Sequence, residues 1–203
     1  QKSKCSAAIT GVLRAAPSRP GGTSLGALAG WSPGRCGFAR ADLSANRRFT
    51  ACMNIRRMTL EDIPAVVALD QLSFTLPWPE RSFRFEVTDN PASRCWVVDL
   101  DGKIVGVIVA WLLVDEAHVA TIATHPDHRR QGIARELLTY ALRYMSKEGA
   151  VTSFLEVREN NLAAQEMYRK FGYEVSGRRK RYYKDTDEDA ILMTLTGLES
   201  LNV

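Results

Sequence analysis

Three places in this 203-residue chain combine residue types and spacing that could do chemistry. In the first, His125-Pro126-Asp127-His128 leads into Arg129-Arg130-Gln131-Gly132-Ile133-Ala134-Arg135, joining an apolar strand pattern to an amphipathic helix pattern. Backbone N–H groups in a first helical turn lack internal partners and sit at the positive end of the helix dipole, and Gly132 has no Cβ to hold a ligand away. That combination suits a pyrophosphate. A glycine that only eases helix packing fits the same residues, and the fingerprints Gly-x-Gly-x-x-Gly and Gly-x-x-x-x-Gly-Lys-Ser/Thr are absent. The second place is Glu156, flanked by Leu155 and Val157 in a strand pattern that turns its carboxylate to the opposite face. There it could accept a proton, with partial burial raising its pKa, although a solvated acid paired with a nearby base also fits. The third is Tyr168, whose reference pKa of about 10 makes it a competent proton donor. Ordinary packing against Phe171, three residues on, fits it too.

Other clusters carry less. His125 and His128 flank Pro126, but only Asp127 joins them, so a solvated turn fits better than a metal site. Cys5, Cys36, Cys52 and Cys95 follow no metal-ligand or disulfide spacing, and a reducing compartment is expected. The run Arg178-Arg179-Lys180-Arg181-Tyr182-Tyr183-Lys184 interleaves bases and aromatics in the manner of an RNA or ribosome contact. Asp185-Thr186-Asp187-Glu188-Asp189 follows at once and offsets its charge, which leaves a solvated hairpin or a substrate-docking role. No direct nucleic-acid binding is expected.

The elements that must position these groups begin at Met53. Residues 1–52 hold seven of the fourteen glycines and eight Lys or Arg against one acid, Asp42, without sustained periodicity. Such a segment cannot bury enough apolar surface to offset its ordering entropy. It reads as a disordered leader or extraneous extension, since the chain opens at Gln1 and a well-formed pattern starts at Met53; an organellar transit peptide is the alternative. The remainder holds nineteen basic and twenty-two acidic residues, so the net charge of +4 belongs to the leader, and the body has no global pull toward polyanions. No stretch approaches the roughly 18 apolar residues of a membrane span.

From Met53 the pattern alternates. Strands are predicted at Asn54 to Met58, Cys95 to Asp99, Ile104 to Val114, Ala117 to Thr124, Phe154 to Arg158, Tyr173 to Arg178 and Ala190 to Leu195. Helices are predicted after the Thr59 and Asp62 start signal, at Glu80 to Val87, at Arg130 to Lys147 and at Leu162 to Phe171. This order describes an α/β body of residues 53–203 with a mixed sheet in three layers.

Arg129-x-x-Gly132-x-Ala134 after the strand Val119 to Thr124 resembles the acetyl-CoA signature of the GNAT N-acetyltransferase superfamily, and Leu155-Glu156-Val157-Arg158, Asn160-Asn161, Tyr168 and Phe171-Gly172-Tyr173 are similar to its second half. Phe74 with Pro77-Trp78, Asp115-Glu116-Ala117, and Arg178-Arg179 with Tyr182-Tyr183 and Asp189-Ala190-Ile191 look like its RimI-type ribosomal-protein alanine N-acetyltransferases. The resemblance covers about Met53 to Leu195. It implies the GNAT fold, a mostly antiparallel central sheet flanked by helices, and acetyl-CoA as co-substrate without a metal. It further implies that the strand residues Ile122, Ala123 and Thr124 meet the pantetheine and thioester. The pyrophosphate would lie on the N–H groups of Arg130, Gln131, Gly132, Ile133, Ala134 and Arg135, with Asn161 adding a side-chain contact. Glu156 would be the general base, and Tyr168 would protonate the departing thiolate.

The function so implied is transfer of acetyl to the N-terminal α-amine of a protein, the N-terminal alanine of a ribosomal protein. A lysine or small-amine acetyltransferase is the alternative within the enzyme class, and a non-catalytic acyl-CoA or ribosome-binding module the alternative outside it. Both Glu156 and Tyr168 are present, which favours an enzyme. The expected location is cytoplasmic, or organellar if residues 1–52 act as a transit peptide. Deleting residues 1–52 is expected to leave the thermal midpoint and turnover nearly unchanged; a large loss of either would show that the segment docks on the body.

Overall fold

Turn chemistry and apolar spacing account for most of the elements. The computed structural model describes residues 53–200, so the expected leader lies outside the described residues. After β1 (Met53–Arg57), the Asp62 carboxylate accepts the Thr59 N–H at 2.8 Å and closes a 3-10 turn at Leu60–Asp62. That turn feeds α1 (Ile63–Ser73), where Pro64 sits in the first turn and costs no helical hydrogen bond. Then follow α2 (Glu80–Thr88), β2 (Ser93–Leu100), β3 (Lys103–Leu113), β4 (Glu116–Thr124), α3 (Ile133–Lys147), β5 (Thr152–Arg158), α4 (Leu162–Lys170), β6 (Glu174–Tyr183) and β7 (Glu188–Thr196).

The seven strands form one sheet in the order β1-β2-β3-β4-β5-β7-β6. Among the described strands only β4 and β5 pair in parallel, and α3 makes the crossover such a pair requires. On one face Ile63, Val66 and Leu69 of α1 and Phe83 of α2 bury against Val97, Val107 and Val109. On the other, Leu137, Leu138 and Leu142 of α3 and Ala164 and Tyr168 of α4 bury against Ile108, Val119, Leu155 and Val157. Helix α3 comes unusually close to the sheet: a Cβ on Gly106 would lie 2.9 Å from Ile133 Cγ2 and 3.0 Å from Leu137 Cδ1. Only a glycine lets the helix start settle that near β3.

Two predicted boundaries move by more than two residues. The helix expected from Arg130 begins at Ile133, because Arg130 at φ 62 and Gly132 at φ 85 hold left-handed backbone that cannot continue a right-handed helix. Strand β6 runs five residues past Arg178, through the run read as a solvated hairpin or a substrate-docking segment, because β7 pairs with it as far as Tyr183 and Glu188.

Candidate active site

The sheet opens between β4 and β5. Their pairing covers Glu116 and Thr152 through Val119 and Leu155 and then stops, although β4 continues to Thr124 and β5 to Arg158. Each strand stays with its other neighbour: Thr121–Thr124 remain on β3 and Glu156–Arg158 remain on β7. The cause lies in β4, where Val119 opposes Ala110 and Thr121 opposes Val109, so that Ala120 is an extra residue. A bulge of this kind bends its strand and increases its twist. Beyond it, the β5-facing backbone groups of β4 have no strand partner although Thr121, Ile122 and Ala123 are buried.

The residues expected to bind a ligand lie at the end of β4 and in the segments that follow β4 and β5. Ile122 and Ala123 lie on the freed part of β4, and Thr124 ends it with a buried Oγ1 that has no hydrogen-bond partner. Arg130 and Gln131 occupy an exposed turn, Gly132 caps α3 with open space where a Cβ would project, and no side chain caps the helix. Ile133 turns into the core, Ala134 is half-buried and Arg135 is exposed. Asn161 caps α4, accepting the Ala164 N–H at 3.2 Å.

Glu156 sits just past the last β4–β5 pair. Its carboxylate is 3% exposed and lies 2.6 Å from Arg179, so it is not the solvated strand-face acid that spacing alone also allowed. Burial pushes its pKa up, opposed by the Arg179 charge and a Tyr182 hydrogen bond. Tyr168 is fully buried on α4, edge-on to Tyr173 at 5.8 Å, and burial holds its phenol protonated well above the ordinary range. Burial likewise raises the Tyr183 phenol, and the Glu156 charge adds to the rise. Among the described residues no three His, Cys, Asp or Glu gather as a metal-binding group, and no helix is long and apolar enough to cross a membrane.

Sequence reasoning missed the ion network beside this pair. Arg158, two residues beyond Glu156 on the same strand face, is 7% exposed and donates to Asp185 at 2.8 Å, Thr186 at 2.7 Å and Glu188 at 3.3 Å. Its guanidinium lies 4.0 Å from the Tyr183 ring centroid. Thr75, in the α1–α2 loop, bonds to Asp185, so one cation ties β5 to the β6–β7 turn and to that loop. The two-residue spacing from Glu156 was the available signal. Asp70 was missed as well: it falls seven residues after Ile63 on the buried face of α1, and its Oδ2 accepts the Trp78 N–H at 2.7 Å.

The acetyltransferase (GNAT) family model matches residues 63–173, more than half of the chain. The chain belongs to the acetyltransferase (GNAT) family. It is 34% identical over 145 residues to the ribosomal protein bS18-alanine N-acetyltransferase of Escherichia coli, an alignment covering 70% of this chain and 95% of that protein. A Bacillus subtilis protein bearing a provisional form of the same name is 38% identical over 142 residues, covering 70% and 94%. The crystal structure of the Escherichia coli ribosomal-protein-S18-alanine N-acetyltransferase superposes with a TM-score of 0.67 at 31% identity, covering 71% of this chain and 94% of that one. The expected fold and enzyme class are thereby borne out: this is an acetyl-transferring enzyme of a family that uses acetyl-CoA as co-substrate.

Asp70 gives this acetyltransferase a testable pH response. Burial raises its carboxyl from 3.8 to about 7, and Oδ1 has no partner. Above the unfolded pKa the folded state holds more protons than the unfolded one, so the Asp70 contribution falls as pH rises from about 4 through about 7. Asp70→Asn is therefore expected to melt higher than the parent at pH 8 by several degrees and to lose most of that advantage at pH 5. Equal gaps at the two pH values would mean that Asp70 does not titrate in this range.

Proposed function

We propose that this enzyme acetylates the N-terminal α-amine of a protein, the alanine terminus of ribosomal protein bS18 or its counterpart, with acetyl-CoA as the acetyl donor. The observation that carries the reading is the buried Glu156 carboxylate placed where β4 and β5 part. The names of the relatives from Escherichia coli and Bacillus subtilis supply the substrate.

Ile122, Ala123 and Thr124 would hold the pantetheine arm and the thioester. Their unpartnered strand edge and the orphaned Thr124 hydroxyl support this assignment. The N–H groups of Arg130, Gln131, Gly132, Ile133, Ala134 and Arg135 would take the pyrophosphate, with the arginines adding charge. Left-handed backbone at Arg130 and Gly132 favours the N–H concavity that binds anions. Asn161 can contribute its amide N–H₂, since its Oδ1 is engaged in capping α4. The bound co-substrate supplies an activated acetyl group as a thioester.

Glu156 accepts the proton of the amine, directly or through a water, and its burial brings its proton affinity nearer to that of the amine. An α-amine, with a reference pKa of about 8 against about 10.4 for lysine, asks less of a single carboxylate. Tyr168, kept neutral by burial, donates a proton to the departing thiolate. Because Glu156 must be ionised, activity should fall as pH drops through its pKa.

The test is acetylation of a bS18 N-terminal peptide followed by mass spectrometry. The free α-amine should be modified, and the same peptide blocked at its terminus but carrying a lysine should not. Glu156→Gln should lower turnover roughly a hundredfold, with partial recovery at alkaline pH where the amine deprotonates in solution. Tyr168→Phe should lower it without alkaline recovery. Near-normal turnover of Glu156→Gln at neutral pH would remove the base assignment.

A further inference from the structure

The wall behind Glu156 is built by an irregular stretch of β6. Between the pairs Arg179 with Ala190 and Tyr183 with Glu188, the three residues Lys180, Arg181 and Tyr182 stand against Asp189 alone. Arg181 takes φ 49, its N–H donates to Asp189 Oδ1 at 2.8 Å, and Arg178 Nη1 donates to Asp189 Oδ2 at 3.2 Å. In a regular strand, residues three apart point to opposite faces. Here Arg179 and Tyr182, three apart, both meet Glu156, the kind of re-aiming a bulge produces.

Arg179 is the cation in direct contact with Glu156. Arg158, the other cation on this face, is held by Asp185 and Glu188. On β4, Ala120 to Thr124 carry no titratable side chain, and β7 places Leu192 opposite Glu156. The buried acids of α1 and α2 are engaged elsewhere: Asp70 by the Trp78 N–H and Glu86 by Trp111 Nε1 at 2.9 Å. Tyr182 and Tyr183 complete the titratable surroundings, and the Tyr182 phenol is pushed up to about 12 by burial and then by Glu156. The Arg179 side chain is 38% exposed and lies 5.5 Å from the Tyr182 ring, so it reaches inward from solvent across that ring.

We propose that Arg179 is a positioning residue for the reaction: held by the Asp189-locked bulge, its guanidinium keeps Glu156 a carboxylate at the mouth of the β4–β5 opening. Without a counterion, a carboxylate this enclosed favours its protonated form more strongly, and a protonated carboxyl accepts no proton from an amine. Arg179 offsets that cost while leaving the carboxylate in place. Lys is the conservative replacement in charge, and Gln or Met retains much of the side chain without charge.

The proposal rests on Glu156 acting as the base, and one experiment separates the two claims. The Glu156 carboxyl carbon is titrated by NMR in the ¹³C-labelled full chain, assigned by its loss in Glu156→Gln. In parallel, the pH profile of kcat/KM is recorded with the bS18 peptide. Arg179→Gln should raise the proton affinity of Glu156 about tenfold or more, moving its midpoint to higher pH. Arg179→Lys should stay near the parent. The acid limb of kcat/KM should move with the midpoint, so that the loss at neutral pH recovers at alkaline pH. An unmoved midpoint in folded Arg179→Gln overturns the proposal. A moved midpoint with an unmoved acid limb upholds Arg179 as counterion and strikes out Glu156 as base. Arg179→Met, which keeps the packing on Tyr182, gives the same readout should Arg179→Gln fail to fold.

Discussion

The extra residue at Ala120 is the constraint on which the site depends. By lengthening β4 by one position against β3, it ends the parallel pairing at Val119 and Leu155 and lets the sheet part. Neither strand is lost, because β3 and β7 continue to hold the two halves. The result is a strand edge with unpaired polar backbone inside a folded protein, which is costly unless something pairs with it. The walls of this opening are sheet rather than loop.

The other features of the site serve that opening from its two faces. On the α3 side, Gly106 admits the start of the helix to within contact of β3, which sets the left-handed Gly132 turn at the end of the freed strand. On the α1 side, Arg158 gathers Asp185, Glu188, Thr75 and Tyr183 around the strand that carries Glu156. Buried ion clusters add little net stability, since desolvation offsets their attraction, but breaking one costs several kcal/mol. The value of this one lies in placement: it fixes the β6–β7 turn and the α1–α2 loop relative to one carboxylate. Tyr173 does similar work behind α4, bonding Ser153 at 2.6 Å and so holding the tyrosine-bearing helix against β5.

The order of elements was legible because most of them carry apolar periodicity, α3 most clearly, and the strand, turn and glycine before α3 could be read as a candidate ligand site. Glu156 was legible as a strand residue facing away from Leu155 and Val157, whereas its near-complete burial was not, because that depends on Arg179 and Tyr182 arriving from β6. The start of α3 was misplaced because polar residues such as Arg130 and Gln131 suit a helix surface and a left-handed turn equally well. The far half of β6 escaped because its bulge breaks alternation, so Arg179 to Tyr183 carry no period-two signal. The partners of Arg158 lie 27 and 30 residues downstream, and nothing local marks such closure. The acidic run containing Asp185 and Glu188 was expected to offset neighbouring bases, whereas two of its members are committed to Arg158.

Amide NMR of the ¹⁵N-labelled full chain titrated with acetyl-CoA tests most directly whether the opening made by Ala120 is where the co-substrate lies. Shifts should concentrate at Ile122 to Thr124 and at Arg130 to Arg135, and Gly132→Asp, which sets a carboxylate against the pyrophosphate cradle, should weaken binding sharply in a folded protein. Shifts centred elsewhere, together with unchanged affinity in folded Gly132→Asp, would contradict the account.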